Sequence, residues 1–253
     1  WYAGSWCLAY TRENEGRSIM STSGSTSWSL NRDEVINAAL RKLAVLSGGS
    51  TPETFEVTAA AQALNAMIKG FHADGMPVWA IKNYTFTTTG VTQYTIGTGQ
   101  TLNTPAPLKV LQAYFIQGTG NNVPMNVYNK YDFNLLPVNN TSGPPVNLYY
   151  QPFPETGIIN VWPTSSSPTV TITIFYQRPF EDMNAATDDF DFPPYWTEAL
   201  IYGLAWRLAP EYGIPINDRN QMASEAKYFH EQALSFGSEE GSLFLQPDWT
   251  GQR

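Results

Sequence analysis

At 253 residues and 42% hydrophobic, the chain can bury a substantial core, while its apolar runs are far too short to cross a bilayer, which predicts a soluble protein that engages no membrane. The net charge is −8, so the basic footprint of proteins that grip nucleic acid by its phosphates is not visible. One cysteine, Cys7, excludes an internal disulfide framework and a cysteine-based zinc site.

Residues 1–29 are predicted to be an N-terminal extension, because residues 1–19 precede a polar, start-like run that begins at Met20. The first helix is predicted just after it. Asn31 and Glu34 have the spacing of a capping box, with asparagine in place of the usual hydroxyl residue. Apolar residues then recur at helical spacing, namely Val35, Ile36, Ala39, Leu40, Leu43 and Leu46.

A longer amphipathic helix is predicted after the short turn at residues 47–49, and the two helices are expected to pack as an antiparallel hairpin. Ser50, Pro52 and Glu53 suit its start as cap hydroxyl, first-turn proline and early acid. Gly75 and Pro77 are predicted to end it. Its stripe comprises Val57, Ala60, Ala61, Leu64, Met67, Ile68 and Phe71.

Between residues 82 and 180 the pattern changes to short runs rich in Thr, Val, Ile and Tyr, separated by turn residues. Such spacing is typical of an antiparallel sandwich or barrel. The predicted strands are residues 84–88, 92–96, 108–117, 123–128, 147–151, 158–162 and 170–177.

Two more helices are predicted after the strands. The third begins near Pro193 and runs to Pro210, with an apolar stripe through Trp196, Leu200, Gly203, Leu204, Arg207 and Leu208. The fourth opens at Asn217 and Asp218 and carries Met222, Ala226, Phe229, Ala233 and Phe236 at steps of three and four.

The element order predicts an α+β fold, in which helices from both ends of the chain form one bundle and an antiparallel β-sandwich or barrel is inserted between them. The expected divisions are the extension at 1–29, the first half of the bundle at 30–80 and the β domain at 81–185. The second half of the bundle follows at 186–237, and residues 238–253, here called the arm, form a C-terminal docking segment.

The search for catalytic groups finds no compelling candidate. His72 and His230 are isolated from any local cysteine or paired carboxylate, as ordinary structural histidines are. An acidic cluster, Asp188, Asp189 and Asp191, could bind a hard cation or act with Glu181 or Glu198 as an acid/base pair. Its simpler interpretation is attraction to the positive end of the helix near Pro193. No catalytic residue, cofactor or metal site is therefore predicted.

Aromatic side chains leave a carbohydrate-binding alternative open. Trp79, Tyr149, Tyr150 and Trp162 could stack on sugar rings, although aromatics in a small sandwich more often fill a core or an interface.

Three segments together resemble a known family. They are LNRDEVINAALRKLAVLSGGSTPETFEVTAAAQALNAMIKGFHADGMPVWA (30–80), FPPYWTEALIYGLAWRLAPEYGIP (192–215) and the terminal helix with its apolar tail. They are similar to the head-to-tail adaptor proteins of short-tailed bacteriophages, also called tubular tail protein A or packaged-DNA-stabilisation protein. The sheet region matches in position and texture.

The resemblance implies a structural virion protein without enzymatic activity, made in the bacterial host cytoplasm and placed at the head–tail interface. Twelve copies would form a ring that joins the portal to the tail nozzle or to a tubular or fibre protein below it. Double-stranded DNA would pass through without specific binding, as the acidic balance favours. The alternatives are a carbohydrate-binding module and a peptidoglycan or glycan hydrolase of the tail.

The arm is the predicted portal-docking site. The last helix loses its apolar stripe after Phe236, and beyond it come Leu243, Phe244, Leu245, Pro247 and Trp249. Exposed apolar groups of this size favour a groove on a partner. The alternative is an arm that folds back on its own bundle.

Overall fold

The computed structural model describes residue 24 and residues 28–73, 78–117, 120–137, 141–165 and 170–237. This part of the chain holds five α-helices, eight strands and two short 3₁₀ turns, Val78–Ala80 and Pro194–Trp196. In chain order the helices and strands are α1 Arg32–Lys42, α2 Thr54–Phe71, β1 Ile81–Thr87, β2 Gln93–Gly97, β3 Leu102–Asn103, β4 Lys109–Gln117, β5 Asn121–Tyr128, α3 Lys130–Asn134, β6 Asn147–Pro152, β7 Thr156–Trp162, β8 Thr171–Gln177, α4 Thr197–Leu208 and α5 Ile216–Phe236.

The predicted capping box of α1 is confirmed. Asn31 Oδ1 accepts the Glu34 amide at 2.9 Å, and Glu34 Oε2 accepts the Asn31 amide at 2.9 Å. The predicted start of α2 at Ser50 is wrong, because the N-cap is Glu53, which forms a capping box with Glu56. The Ser50 hydroxyl instead donates to the Ser47 carbonyl and so belongs to the turn before the helix. The predicted terminators Gly75 and Pro77 lie outside the described residues.

All seven predicted strands are present in one eight-stranded sheet with the order β1-β8-β4-β5-β6-β7-β2-β3. The prediction of wholly antiparallel pairing is wrong at two of the seven neighbours, since β5–β6 and β2–β3 are parallel. β5 changes partner along its length: Asn121 to Met125 pair with β4, and Asn126 to Tyr128 pair with β6. This change of partner bends the sheet toward a nearly closed barrel.

Buried side chains form two clusters. One lies among the helices and includes Ile36 of α1, Leu64 of α2, Leu204 of α4 and Ala233 of α5. The other lies inside the sheet and includes Ile96, Phe115, Leu148 and Ile172. Among the described residues, no helix has the length and apolar character that crossing a membrane requires.

The chain passes from β8 back to the helices through a junction of aromatic rings and one ion pair. Trp79 stacks on Phe180 with ring centroids 5.1 Å apart, and Phe192 lies 5.2 Å from Trp79. Arg178, at the end of β8, pairs with both carboxylate oxygens of Asp191, and its guanidinium lies over the Trp79 ring. The pair fixes the loop that leads into α4.

Candidate functional site

Both histidines occupy structural positions. His72 Nε2 accepts the Phe180 amide at 2.9 Å, and partial burial together with nearby Lys69 lowers the pKa of its imidazole. His230 stacks on Phe71, with ring centroids 4.6 Å apart, and meets Trp196 edge-on at 5.4 Å. These contacts orient the rings within the helical core, as expected for structural histidines.

The acidic cluster is used to shape the loop before α4. Asp188 Oδ2 accepts the amides of Asn184 and Ala185 at 2.9 and 2.7 Å, and Asp191 pairs with Arg178. Asp189 lies in an isolated β-bridge with Asn31. The interpretation that these carboxylates favour the start of the next helix is therefore wrong for Asp188 and Asp191, whose partners are loop amides and a guanidinium. Within the described ranges, no group of three metal-ligating side chains comes together.

The four aromatic residues considered for sugar stacking are not assembled into one platform. Trp79 packs among the rings of the junction, and Tyr150 is buried with its hydroxyl donated to the Pro107 carbonyl. Burial raises the pKa of Tyr150 to about 12. Tyr149 packs on Phe133 at 5.6 Å, and the Trp162 indole donates to the Pro137 carbonyl at 3.1 Å. Each ring is thus engaged locally, in packing or in a hydrogen bond.

The predicted docking residues lie outside the described part of the chain. Leu243, Phe244, Leu245, Pro247 and Trp249 all belong to the arm, and Gly237 is the last described residue before it. Their role therefore stays a prediction.

An apolar concavity lies between α2, α4 and α5. A first hollow of about 370 Å³ has apolar walls and is lined by Met67, Phe71, Ala199, Gly203, Trp206, Arg207, Ala223, Ala226, Lys227 and His230. A second hollow of about 430 Å³ shares Trp206 and Arg207 with it and continues to Pro210, Ile216, Arg219 and Asn220. We call the two together the groove. Its floor is apolar and its rim carries Arg207, Arg219 and Lys227.

The outer surface of α5 is a second candidate. Along its 21 residues only Ala226 and Ala233 are buried, whereas Ile216, Tyr228 and Phe236 are 59%, 61% and 76% exposed. Phe236 was expected to continue the buried stripe but instead meets the exposed Tyr195, with ring centroids 4.8 Å apart. Single exposed apolar side chains are common on protein surfaces, but Tyr228 and Phe236 lie about two helical turns apart near the same end of α5, which makes that end a candidate interface.

A third concavity, about 570 Å³, opens on the sheet where β5 leaves β4 for β6. Lys109 and Lys130 line it together with Tyr128 and Tyr149. It contains two of the sugar-stacking candidates, Tyr149 and the buried Tyr150. Tyr149 packs on Phe133 and Tyr150 donates its hydroxyl to Pro107, so both are held by local contacts.

Sequence reasoning missed the groove because one of its residues was assigned to the wrong face of α4 and another was not considered. Arg207 was placed on the apolar stripe of α4 but is exposed, and Trp206 lies off that stripe. A large aromatic that falls outside a helix's own stripe is a usable signal of an interaction surface. Lys227 carried no local signal, since an i,i+4 partner such as Glu231 is ordinary on an exposed helix.

Comparison with known proteins decides the family. The family model of the SU10 adaptor protein matches residues 26–241, a range that contains every helix and strand described above. The chain belongs to the SU10 adaptor protein family. No match was found among curated proteins.

Membership confirms the resemblance to phage head-to-tail adaptors. An SU10 adaptor is a structural component of a bacteriophage virion that interacts with other virion components. The groove and the exposed side of α5 are therefore the candidate protein interfaces of this SU10 adaptor.

Proposed function

We propose that this SU10 adaptor forms a ring, expected to hold twelve copies, that joins the portal to the tail nozzle and lets DNA pass. The observation that carries the proposal is the exposure of Tyr228 and Phe236 on α5, in a chain whose family is one of structural adaptors. Helices from the two ends of the chain, 30–80 and 186–237, then act as one bundle that makes the subunit contacts. The sheet at 81–185 is an insertion into that bundle.

Ring closure requires heterologous interfaces, in which two different faces of each subunit meet. The face of α5 that carries Tyr228 and Phe236 supplies one of them. We assign the second face to the start of α2, where Phe55 is 67% exposed. A subunit with exposed apolar groups on two separate helices can bind a neighbour on each side.

This assignment is tested with the substitution Tyr228→Asp, which places a charge in the proposed interface. The isolated variant should keep its circular dichroism spectrum, because Tyr228 is 61% exposed, but should fail to form rings on purified portal in electron micrographs. Tyr131→Asp is the matched control, since Tyr131 is 73% exposed on α3. Formation of normal rings by Tyr228→Asp would show that this part of α5 does not belong to the subunit interface.

We further propose that the arm docks on the portal through Leu243, Phe244, Leu245, Pro247 and Trp249. A groove on the portal would bury these side chains, and basic residues at its rim would pair with Glu239, Glu240 and Asp248. Deletion of residues 239–253 should abolish co-sedimentation with portal while the helical content is retained. Undiminished attachment of the truncated protein would show that another segment docks.

DNA passage is the third part of the proposal. The chain has 22 acidic and 14 basic residues, and an acidic channel wall would keep DNA from adhering. Assembled rings should bind duplex DNA weakly at moderate ionic strength. Tight binding with a steep salt dependence would indicate many phosphate contacts and contradict the proposal.

We infer that the protein has no catalytic role. It would be made in the host cytoplasm and assembled at the head–tail interface of the virion. The carbohydrate-binding and hydrolase alternatives gain no support from the described residues, because the candidate aromatics are engaged in local contacts and the acids shape a loop.

A further inference from the structure

The groove is open along α5 although its floor has the character of a core. Met67 and Phe71 of α2, Gly203 of α4 and Ala226 of α5 form its apolar walls. Apolar surface of this kind is stabilised when another apolar group displaces water from it. In the described part of the chain, no segment covers it.

The rim of the groove is basic in a protein whose net charge is −8. Arg207 lines both hollows, Lys227 lies beside the first and Arg219 beside the second. Lys227 has one partner, Glu231, at 3.6 Å in an exposed pair. Arg219 Nε is buried and has no hydrogen-bond acceptor among the described residues, so an incoming carboxylate would satisfy it.

The end of α5 lies within reach of the groove, provided that the chain reverses direction after Gly237. The Gly237 carbonyl accepts the Val78 amide at 2.9 Å, which places this end of α5 next to the segment that follows α2. His230, at the near end of the groove, lies about two helical turns (~10 Å) back along α5. Six extended residues beyond Gly237 span up to about 20 Å, so residues 243–245 can reach the first hollow.

Apolar residues precede an acidic residue along the arm, just as the apolar hollow precedes the more polar hollow along the groove. Leu243, Phe244 and Leu245 come first and would meet the apolar first hollow. Asp248 follows after a distance of about 10 Å in an extended chain. It would then lie near Arg207 and Arg219, where the groove becomes more polar.

We propose that, before a portal is bound, residues 238–253 fold back into the groove of their own chain. The proposal rests on the proposed function in one respect, namely that the portal later competes for the same apolar residues. The arm then lies in the groove of its own chain until a portal is present. In that position its apolar residues are buried and do not associate with other copies.

The test uses a fluorescein-labelled peptide of residues 239–253 and two forms of the protein. The truncated protein, which lacks residues 239–253, should bind the peptide in fluorescence anisotropy. The full chain should bind it at least about tenfold more weakly, because its own arm competes at high effective concentration. A peptide with serine at positions 243, 244 and 245 should not bind either form.

Charge reversal locates the site. In the truncated protein, Arg207→Glu should weaken peptide binding about tenfold, because an attractive charge pair becomes a repulsive one. A peptide carrying Asp248→Lys should recover part of that loss. Lys82→Glu, an exposed substitution on β1 away from the groove, is the matched control and should leave binding unchanged.

Three outcomes would overturn the proposal. Equal peptide binding by truncated and full-length protein would show that the arm does not occupy the groove of its own chain. Binding that is insensitive to Arg207→Glu would place the site elsewhere, and absence of binding would show that the groove does not accept the arm. Portal co-sedimentation of the truncated protein tests the docking role separately, so a failure of one proposal is distinguishable from a failure of the other.

Discussion

The two last helices, α4 and α5, pack against each other but divide their surfaces in opposite ways. Seven of the twelve residues of α4 are buried, including Leu200, Leu204 and Leu208. In α5, two of 21 are buried, and both are alanines. The two adjacent helices thus differ in role: α4, the more apolar of the two, is a core element, and α5, which is longer and more polar, is a surface element.

The difference indicates which helices of a structural adaptor are available to partners. A helix such as α4, enclosed by α1, α2 and α5, contributes mainly to stability. A helix such as α5, which exposes Tyr228 and Phe236, retains apolar surface that association can bury. Substitutions of buried residues in α4, and in the residues packed against it, should therefore affect stability. Substitutions of exposed residues in α5 should affect assembly.

The largest effect is expected inside α4. Leu204 has no exposed surface, so Leu204→Ala should lower the free energy of unfolding by about 2–5 kcal/mol through lost burial and a residual cavity. Urea denaturation followed by circular dichroism measures it. Leu135→Ala just after α3, where the side chain is 67% exposed, is the matched control and should change stability by less than about 0.5 kcal/mol. Equal losses of unfolding free energy in the two variants would show that Leu204 is not buried in the core.

The second effect concerns the loop that leads into α4. Arg178→Met leaves the Asp191 carboxylate without its guanidinium and should cost about 1–3 kcal/mol of unfolding free energy. A double-mutant cycle with Asp191→Asn should give a coupling of about 0.5–3 kcal/mol. Strict additivity of the two substitutions would show that the pair contributes nothing to holding the loop.

A smaller, pH-dependent effect is expected at His72, near the end of α2. Its folded-state pKa lies below the usual 6.5, chiefly because burial disfavours the charged imidazole, with Lys69 acting in the same direction and Asp182 opposing. The unfolded chain therefore binds the proton more readily, and the stabilisation is lost as the pH falls below 6.5 through the lowered pKa. His72→Gln should flatten the stability profile between about pH 5 and 7. An unchanged profile would contradict this assignment.

The smallest effect on stability is expected at the end of α5. Phe236 is 76% exposed, so Phe236→Ala should change the unfolding free energy by less than about 0.5 kcal/mol. The same variant should reduce ring formation on the portal, because the exposed ring is available to a neighbouring subunit. A large loss of stability without any effect on ring formation would reverse the comparison between the two helices.

Much of the secondary structure was predictable because its signals are local. The capping box at Asn31 and Glu34 acts within one helical turn, and the alternation in β8 acts between neighbouring residues. The two-residue strand β3 and the five-residue helix α3 escaped prediction because each is too short for its pattern of apolar residues to repeat. The start of α2 was misplaced because a serine hydroxyl can stabilise a turn as well as a helix.

The candidate interaction surfaces depended on contacts that no local pattern reports. The side-chain amide of Asn65 exchanges hydrogen bonds with the backbone of Met183, and the Lys69 ammonium donates to the Phe180 carbonyl. These bonds join α2 to the chain that leaves the sheet. They help set the arrangement of helices that leaves one side of α5 and the groove uncovered.

The sequence by itself determined the helical periods, the seven main strands and the family, because these depend on residue order over short windows and on the pattern of whole segments. Tertiary structure alone decided that β5 pairs in parallel with β6, that Asp191 binds Arg178 and that Phe236 stays in water. The physical reason is that an amphipathic helix specifies an apolar face but not what covers it. Burial is a property of the assembled chain, and α5 retains an uncovered face because α2 and α4 fill only one side of it.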